Sequence, residues 1–230
     1  VHEESRRAAG PFRVVDCATI PPGLLESELF GARRGAFTGL DEDRPGILEL
    51  ASGGTVLVDE IAGAPLEVQA KLLRVISSRA VRAVGAAEET AIDVRFLFST
   101  SRDLEREVRE GAFREDLLHR IRVVVLDVPP LRDRPEDIEE LAQMLLAEGK
   151  TPAPPLSADA LRALRELEWP GNVRELENVL ARARLESPEA IGREAIESAR
   201  LDPRTATLFP HNILAGAGLE ELKDRLERDY

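Results

Sequence analysis

Cysteine occurs once in the 230 residues, at position 17, which excludes an internal disulfide and a zinc site built on cysteine. The three histidines, His2, His119 and His211, are too scattered for a metal site or a catalytic triad. No apolar run approaches the roughly 20 residues that a membrane helix needs. The opening Val1–Arg7 stretch lacks the apolar core of a signal peptide. Lysine stands only at 71, 150 and 223, so arginine carries the positive charge. The 31 basic against 43 acidic groups leave a formal charge of −12, which argues against a general nucleic-acid coat. A cytosolic protein is the expectation.

What is present reads as globular. Apolar residues make up 43% and charged residues 32%, and the length fits one large domain or a domain with a satellite. Four β-rich runs stand out: Phe12–Val15, Thr55–Asp59, Arg95–Thr100 and Val123–Val128. Three are nearly continuous apolar runs, the pattern of strands buried on both faces of a parallel sheet. Helical stretches alternate with them at Pro65–Ser77, 103–111 and 114–121; in the first, Leu66, Gln69, Leu72, Leu73 and Ile76 repeat at helical spacing. The alternation predicts an α/β layered domain. Cys17, just past the first run, is expected to be packed rather than reactive.

Pro129-Pro130 and Arg134-Pro135 break the pattern, and helices are predicted over 136–148, 158–168, 173–186 and 189–199. Asn172 reads as an N-cap with Glu175 three residues on, and Trp169 as a core anchor. The division is therefore 1–133 for the α/β part, 134–200 for a helical subdomain, and 201–230 for a linker and the start of a helix.

Three groups of residues carry candidate chemistry. In Gly53-Gly54-Thr55-Val56-Leu57-Val58-Asp59-Glu60, an apolar strand delivers two carboxylates to the C-terminal edge of a sheet, where α/β proteins bind ligands. One can hold Mg²⁺ through water and the other can polarise an attacking water; a solvated strand end is the alternative. Gly35-Ala36-Phe37-Thr38-Gly39-Leu40 suits a loop with an apolar contact tip, or one that folds Phe37 into the core. Arg114 and Arg120, about 600° of helix apart, bracket a common partner or pair with Glu110, Glu115 or Asp116. Arg174 falls in the first turn of a helix, where the macrodipole disfavours a cation. It faces an anion such as phosphate there, or pairs with Glu175 or Glu177. Gly149-Lys150-Thr151 imitates the end of a P-loop, but Met144 stands at the position of the required first glycine and Pro152 follows, so it reads as a surface linker.

Together these stretches resemble the central AAA+ ATPase domain of bacterial enhancer-binding proteins, the NtrC-like activators of sigma-54 RNA polymerase. Leu25–Gly31, the Gly35–Gly39 loop, Gly53–Ile61, Gln69–Val75, Gly111–Leu117, Pro129–Arg132 and Trp169–Glu177 carry the resemblance, in order, from about Pro11 to about Ser198. It implies an AAA+ parallel sheet followed by a helical lid. It implies ATP and Mg²⁺ as cofactors, with Asp59 and Glu60 as the Walker B pair, and Thr100 and Ser101 at the sensor I position. Arg114 and Arg120 match arginine fingers that reach a neighbouring subunit, and Arg174 matches the sensor II arginine. By the same resemblance the 35–40 loop grips the sigma factor, residues 80–95 couple it to the nucleotide, and the domain works as a ring, commonly a hexamer. The function implied is ATP-driven remodelling of the closed promoter complex.

The chain also departs from that family. No G-x-x-x-x-G-K-[ST] occurs in it; the resemblance puts that loop and the first strand of the sheet ahead of Val1. This stretch by itself is therefore expected to bind ATP weakly or not at all and to have an unpaired gap in its sheet. Truncation and a nucleotide-free remnant both fit, and a nucleotide-independent interaction module is the alternative function. Leu40 replaces the family's usual alanine. Asp16 stands where an asparagine often restrains the catalytic glutamate, and Ser101 where asparagine or histidine is common. DNA binding is expected only through a C-terminal helix-turn-helix, which residues 219–230 approach.

Overall fold

The computed structural model describes residues 1–147 and 153–201. They form two compact units that divide between Val125 and Leu126, ahead of the prolines from which the sequence places the boundary. In the first unit, β1 (Phe12–Asp16), α1 (Pro22–Phe30), β2 (Gly31–Ala32), β3 (Arg44–Pro45) and α2 (Ile47–Leu50) precede β4 (Thr55–Asp59). Then come α3 (Leu66–Ser78), β5 (Ala80–Val81), β6 (Thr90–Ala91), β7 (Arg95–Phe98), α4 (Leu104–Arg109) and α5 (Glu115–Ile121). The second unit holds α6 (Asp137–Ala147), α7 (Ala158–Glu166), α8 (Asn172–Glu186) and α9 (Arg193–Leu201).

The main sheet is parallel, in the order β1-β4-β7. Central β4 has Thr55, Val56 and Val58 fully buried, which is why it reads as an unbroken apolar run. All three strands point the same way, so their C-terminal ends share one edge, with Asp16 in register with Asp59. Against the sheet pack Leu25, Leu29 and Phe30 of α1, Leu72 of α3 and Leu117 of α5, in one core. Each such burial stabilises by about 1.5–3 kcal/mol.

The run Val123–Val128 is not a strand. No described strand pairs with it, and Val123, Val124, Leu126 and Val128 are 81, 76, 70 and 79% exposed. Hydrophobicity alone does not make a strand; a neighbour must complete the ladder. The third run is shorter than expected and ends at Phe98, while α1 is a helix the residue pattern did not reveal.

The helical unit packs around Trp169, which is 1% exposed and donates its Nε1–H to the Leu164 carbonyl at 2.8 Å. Trp169 and Asn172 both have φ of 51°. Asn172 is not the N-cap of α8. Gly171 takes that position, and its N–H donates to the Glu175 carboxylate at 2.8 Å. The Asn172 Oδ1 is occupied elsewhere, accepting the N–H of Leu131 at 2.8 Å. Gly149–Thr151 and the linker and final helix expected over 201–230 lie outside the described residues, apart from Leu201 at the end of α9. No described helix is long and apolar enough to cross a membrane.

Candidate functional site

The sheet's C-terminal edge gathers Asp16, Asp59, Glu60 and the Ser99–Ser101 turn after β7. Asp59 accepts a hydrogen bond from the Ser99 hydroxyl, and the N–H of Ile61 donates to the Ser99 carbonyl at 3.0 Å. Glu60 sits in the left-handed region, φ 49° and ψ 49°, an unusual state for a residue with a side chain. That twist ends the strand and opens a short turn, Ile61–Gly63. Glu60 Oε2 accepts both the Ser101 N–H at 3.2 Å and the Ser101 hydroxyl at 3.1 Å. The Thr100 hydroxyl accepts from the N–H of Arg102 at 3.1 Å.

Asp16 faces away from this pair in its bonding. Its Oδ1 accepts the N–H groups of Ala18 at 2.8 Å and Thr19 at 3.3 Å, a local turn, and no bond joins it to Glu60. Ser101 therefore holds the glutamate that residue 16 is expected to hold. Cys17 is buried, and burial, then the neighbouring Asp16 and Asp59 charges, pushes its thiol up to about 12. It stays protonated and inert at neutral pH.

Among the described residues no three His, Cys, Asp or Glu side chains cluster as a metal cage. A single carboxylate, Asp59, fits magnesium all the same, because that ion keeps most of its waters and uses one or two protein oxygens.

Arg114 is the N-cap of α5, and its guanidinium makes two bonds to Asp116, at 3.0 and 2.7 Å. Hydrogen bonding to that carboxylate raises Arg114 above its ordinary value and lowers Asp116 below its own. Arg120, in the last turn of the same helix, lines a cavity of about 420 Å³ with Val75, Ile92 and Phe96. No hydrogen bond or ion pair among the described residues joins either arginine to Asp59 or Glu60. Arg174 is exposed in the first turn of α8, in the other unit, and neither Glu175 nor Glu177 pairs with it.

The 35–40 loop presents its aromatic residue outward, with Phe37 45% exposed. Gly35 and Gly39 take φ of 78° and 90°, and the Gly35 N–H donates to the Leu40 carbonyl at 2.9 Å, closing the loop. Asp43 fastens its base, accepting the Arg34 N–H at 2.8 Å and the Arg33 guanidinium at 2.7 Å. Those bonds, the backbone one foremost, hold the Asp43 carboxyl below its usual range. The Arg33 N–H donates to Val84 at 2.9 Å, and a Cβ on Gly85 would stand 3.0 Å from that of Ala36. The loop's root thus touches the turn between β5 and β6.

Four residues that take part were not legible as such in the sequence: Ser99 at Asp59, Arg33 and Asp43 as a pair, and Gln69, whose side chain bonds near Arg114. Only Gln69 left a signal, as a polar residue on the apolar face of α3.

A family model for a sigma-54 interaction domain matches residues 1–127, and one for an AAA+ ATPase lid domain matches 132–207. The response regulator protein PilR of Pseudomonas aeruginosa is 50% identical over 187 residues, covering 80% of this chain and 42% of its own length. The Nif-specific regulatory protein of Azotobacter vinelandii is 43% identical over 228 residues, or 96% of this chain and 44% of its own. The chain thus spans less than half the length of these relatives. Among solved structures, NtrX from Brucella abortus in complex with ATP has TM-score 0.77 and 35% identity, over 99% of this chain and 52% of NtrX. A RuvB mutant of Thermotoga maritima, 12% identical with TM-score 0.51 over 83% of this chain and 53% of RuvB, shares the fold alone. The architecture is an AAA+ α/β sheet followed by a helical lid.

Proposed function

Because this chain belongs to the sigma-54 interaction domain family, we propose that it is the part of a transcription activator that couples ATP hydrolysis to remodelling of sigma-54 RNA polymerase. The observation that carries the proposal is the pairing of Asp59 and Glu60 with Ser99 and Ser101 at the sheet's C-terminal edge.

Bound magnesium–ATP supplies the phosphoryl group that is transferred to water. Asp59, oriented by the Ser99 hydroxyl, is the residue to hold hydrated magnesium. Glu60, steadied by Ser101, orients the attacking water and accepts its proton. Thr100 and Ser101 lie where the presence of the terminal phosphate is felt. Arg114, with Arg120, serves a neighbouring copy in a ring, where its positive charge meets the negative charge that develops in transfer. To do so Arg114 leaves Asp116 for the phosphate. Arg174, exposed and without an acidic partner among the described residues, serves as the lid's anion contact.

Phe37, at the tip of the closed 35–40 loop, is the sigma-factor contact. The Arg33–Val84 bond and the Ala36–Gly85 approach give a route from the turn of the β5–β6 hairpin to that loop. NtrX, at 35% identity, has been crystallised with ATP and with ADP, which supports nucleotide use here.

The competing reading is a module that assembles or holds the sigma factor without nucleotide. Sigma-54 binding by the full-length protein, measured with and without an ATP transition-state mimic, separates the two. The ATPase reading expects binding only with the mimic, and its loss in Phe37→Ala. Equal binding with and without nucleotide favours the module.

A further inference from the structure

One buried amide ties together the two halves of this site. Gln69 is 0% exposed on α3, between Val68 and Leu72. Its Nε2 donates to the Ala64 carbonyl at 2.7 Å and to the Ala112 carbonyl at 3.1 Å. Its Oε1 accepts the N–H of Arg114 at 2.9 Å. Both amide hydrogens and one acceptor position are thus in use.

The three partners are not equivalent pieces of surface. Ala64 closes the turn that starts at Glu60, where the Gly63 N–H reaches the Glu60 carbonyl at 2.8 Å and the Ala64 N–H that of Ile61 at 3.1 Å. Ala112 and Arg114 flank Phe113, which is 3% exposed, and Arg114 then opens α5. The side chain of Gln69 meets Ala112 O and Arg114 N–H as a neighbouring strand would. No other described side chain bonds to both segments. An apolar residue at this position would fill the same space without burying polar atoms, so burial alone does not account for a glutamine here.

We propose that Gln69 is a positioning residue that fixes the Glu60 turn and the Arg114 backbone to one another. A shift of the turn is thereby passed to the start of α5, and the reverse. The proposal rests on the reading of Arg114 as the residue that serves a neighbouring nucleotide.

The test is amide hydrogen exchange on the full-length protein. In Gln69→Leu, the Arg114 N–H loses its acceptor, and its exchange is expected to rise about tenfold, together with Gly63 and Ala64, while Val58 keeps its rate. Unchanged exchange at Arg114 overturns the proposal. So does a uniform rise across the whole unit, which is plain destabilisation. Gln69→Glu provides a second readout: it can donate to a carbonyl only when protonated. The Arg114 amide resonance of that variant is expected to follow a titration that the parent chain lacks, and its absence counts against the tie. Arg114→Ala keeps the backbone N–H and is expected to keep the exchange pattern. Full ATP turnover by Arg114→Ala in the full-length protein strikes at the reading of Arg114 and not at the exchange result.

Discussion

Ser101 grips Glu60 through two groups at once, its main-chain N–H at 3.2 Å and its hydroxyl at 3.1 Å, both on the same carboxylate oxygen. The grip spans two neighbouring strands, since Glu60 follows β4 and Ser101 follows β7. Among the described residues no hydrogen bond reaches the other oxygen of Glu60. The grip also steadies a residue whose backbone is in the left-handed region, with φ of 49°.

Ser101→Ala removes the hydroxyl and leaves the N–H. ATP turnover by the full-length protein is expected to fall about three- to tenfold, with the Michaelis constant for ATP unchanged, because one of two bonds orienting Glu60 is lost. Steady-state kinetics checks this; a change confined to the Michaelis constant would assign Ser101 to binding.

Asp43 makes the base of the 35–40 loop sensitive to acid. Its folded value lies below the ordinary aspartate value of about 3.9. A depressed carboxyl contributes stability above its unfolded value, and that contribution disappears as the pH falls through the folded value. The Arg34 amide resonance is therefore expected to be constant from neutral pH to about 4 and to shift below it. Asp43→Asn should abolish that shift.

Trp169→Ala removes the largest side chain in the helical unit's core, together with its bond to Leu164. The expected cost is about 3–5 kcal/mol, read by urea denaturation. A loss under about 1 kcal/mol would mean that the unit repacks around the vacancy.

Asn172→Gly separates two roles of one residue. Glycine accepts the φ of 51° without strain but cannot receive the Leu131 N–H. A loss of about 1 kcal/mol is expected, whereas Asn172→Ala, which meets both problems, should lose about 2.

The sequence exposed what depends on burial and punctuation. β4 announced itself as an apolar run between Gly53-Gly54 and Asp59-Glu60, and α3 by the spacing of its apolar face. Val123–Val128 misled because hydrophobic pattern reports what a segment would bury, not whether a ladder partner is there to pair with it. The bonds of Ser101 and Gln69 were invisible for a different reason. Apart from the Gln69–Ala64 bond, each joins residues 41 to 45 positions apart, and periodicity along the chain carries no information on which side chains the fold will bring together. Asn172 looked like a cap since asparagine favours that position, but the same residue also tolerates positive φ, and here that property decided its place.

The measurement that bears most directly on the account is ATP hydrolysis by the full-length protein against its Glu60→Gln variant. The variant is expected to bind ATP with unchanged affinity and to turn it over about 10²–10⁴-fold more slowly, since an amide cannot take the proton of the attacking water. Turnover by Glu60→Gln at the parent rate would contradict the assignment of the Asp59–Glu60 edge as the site of hydrolysis.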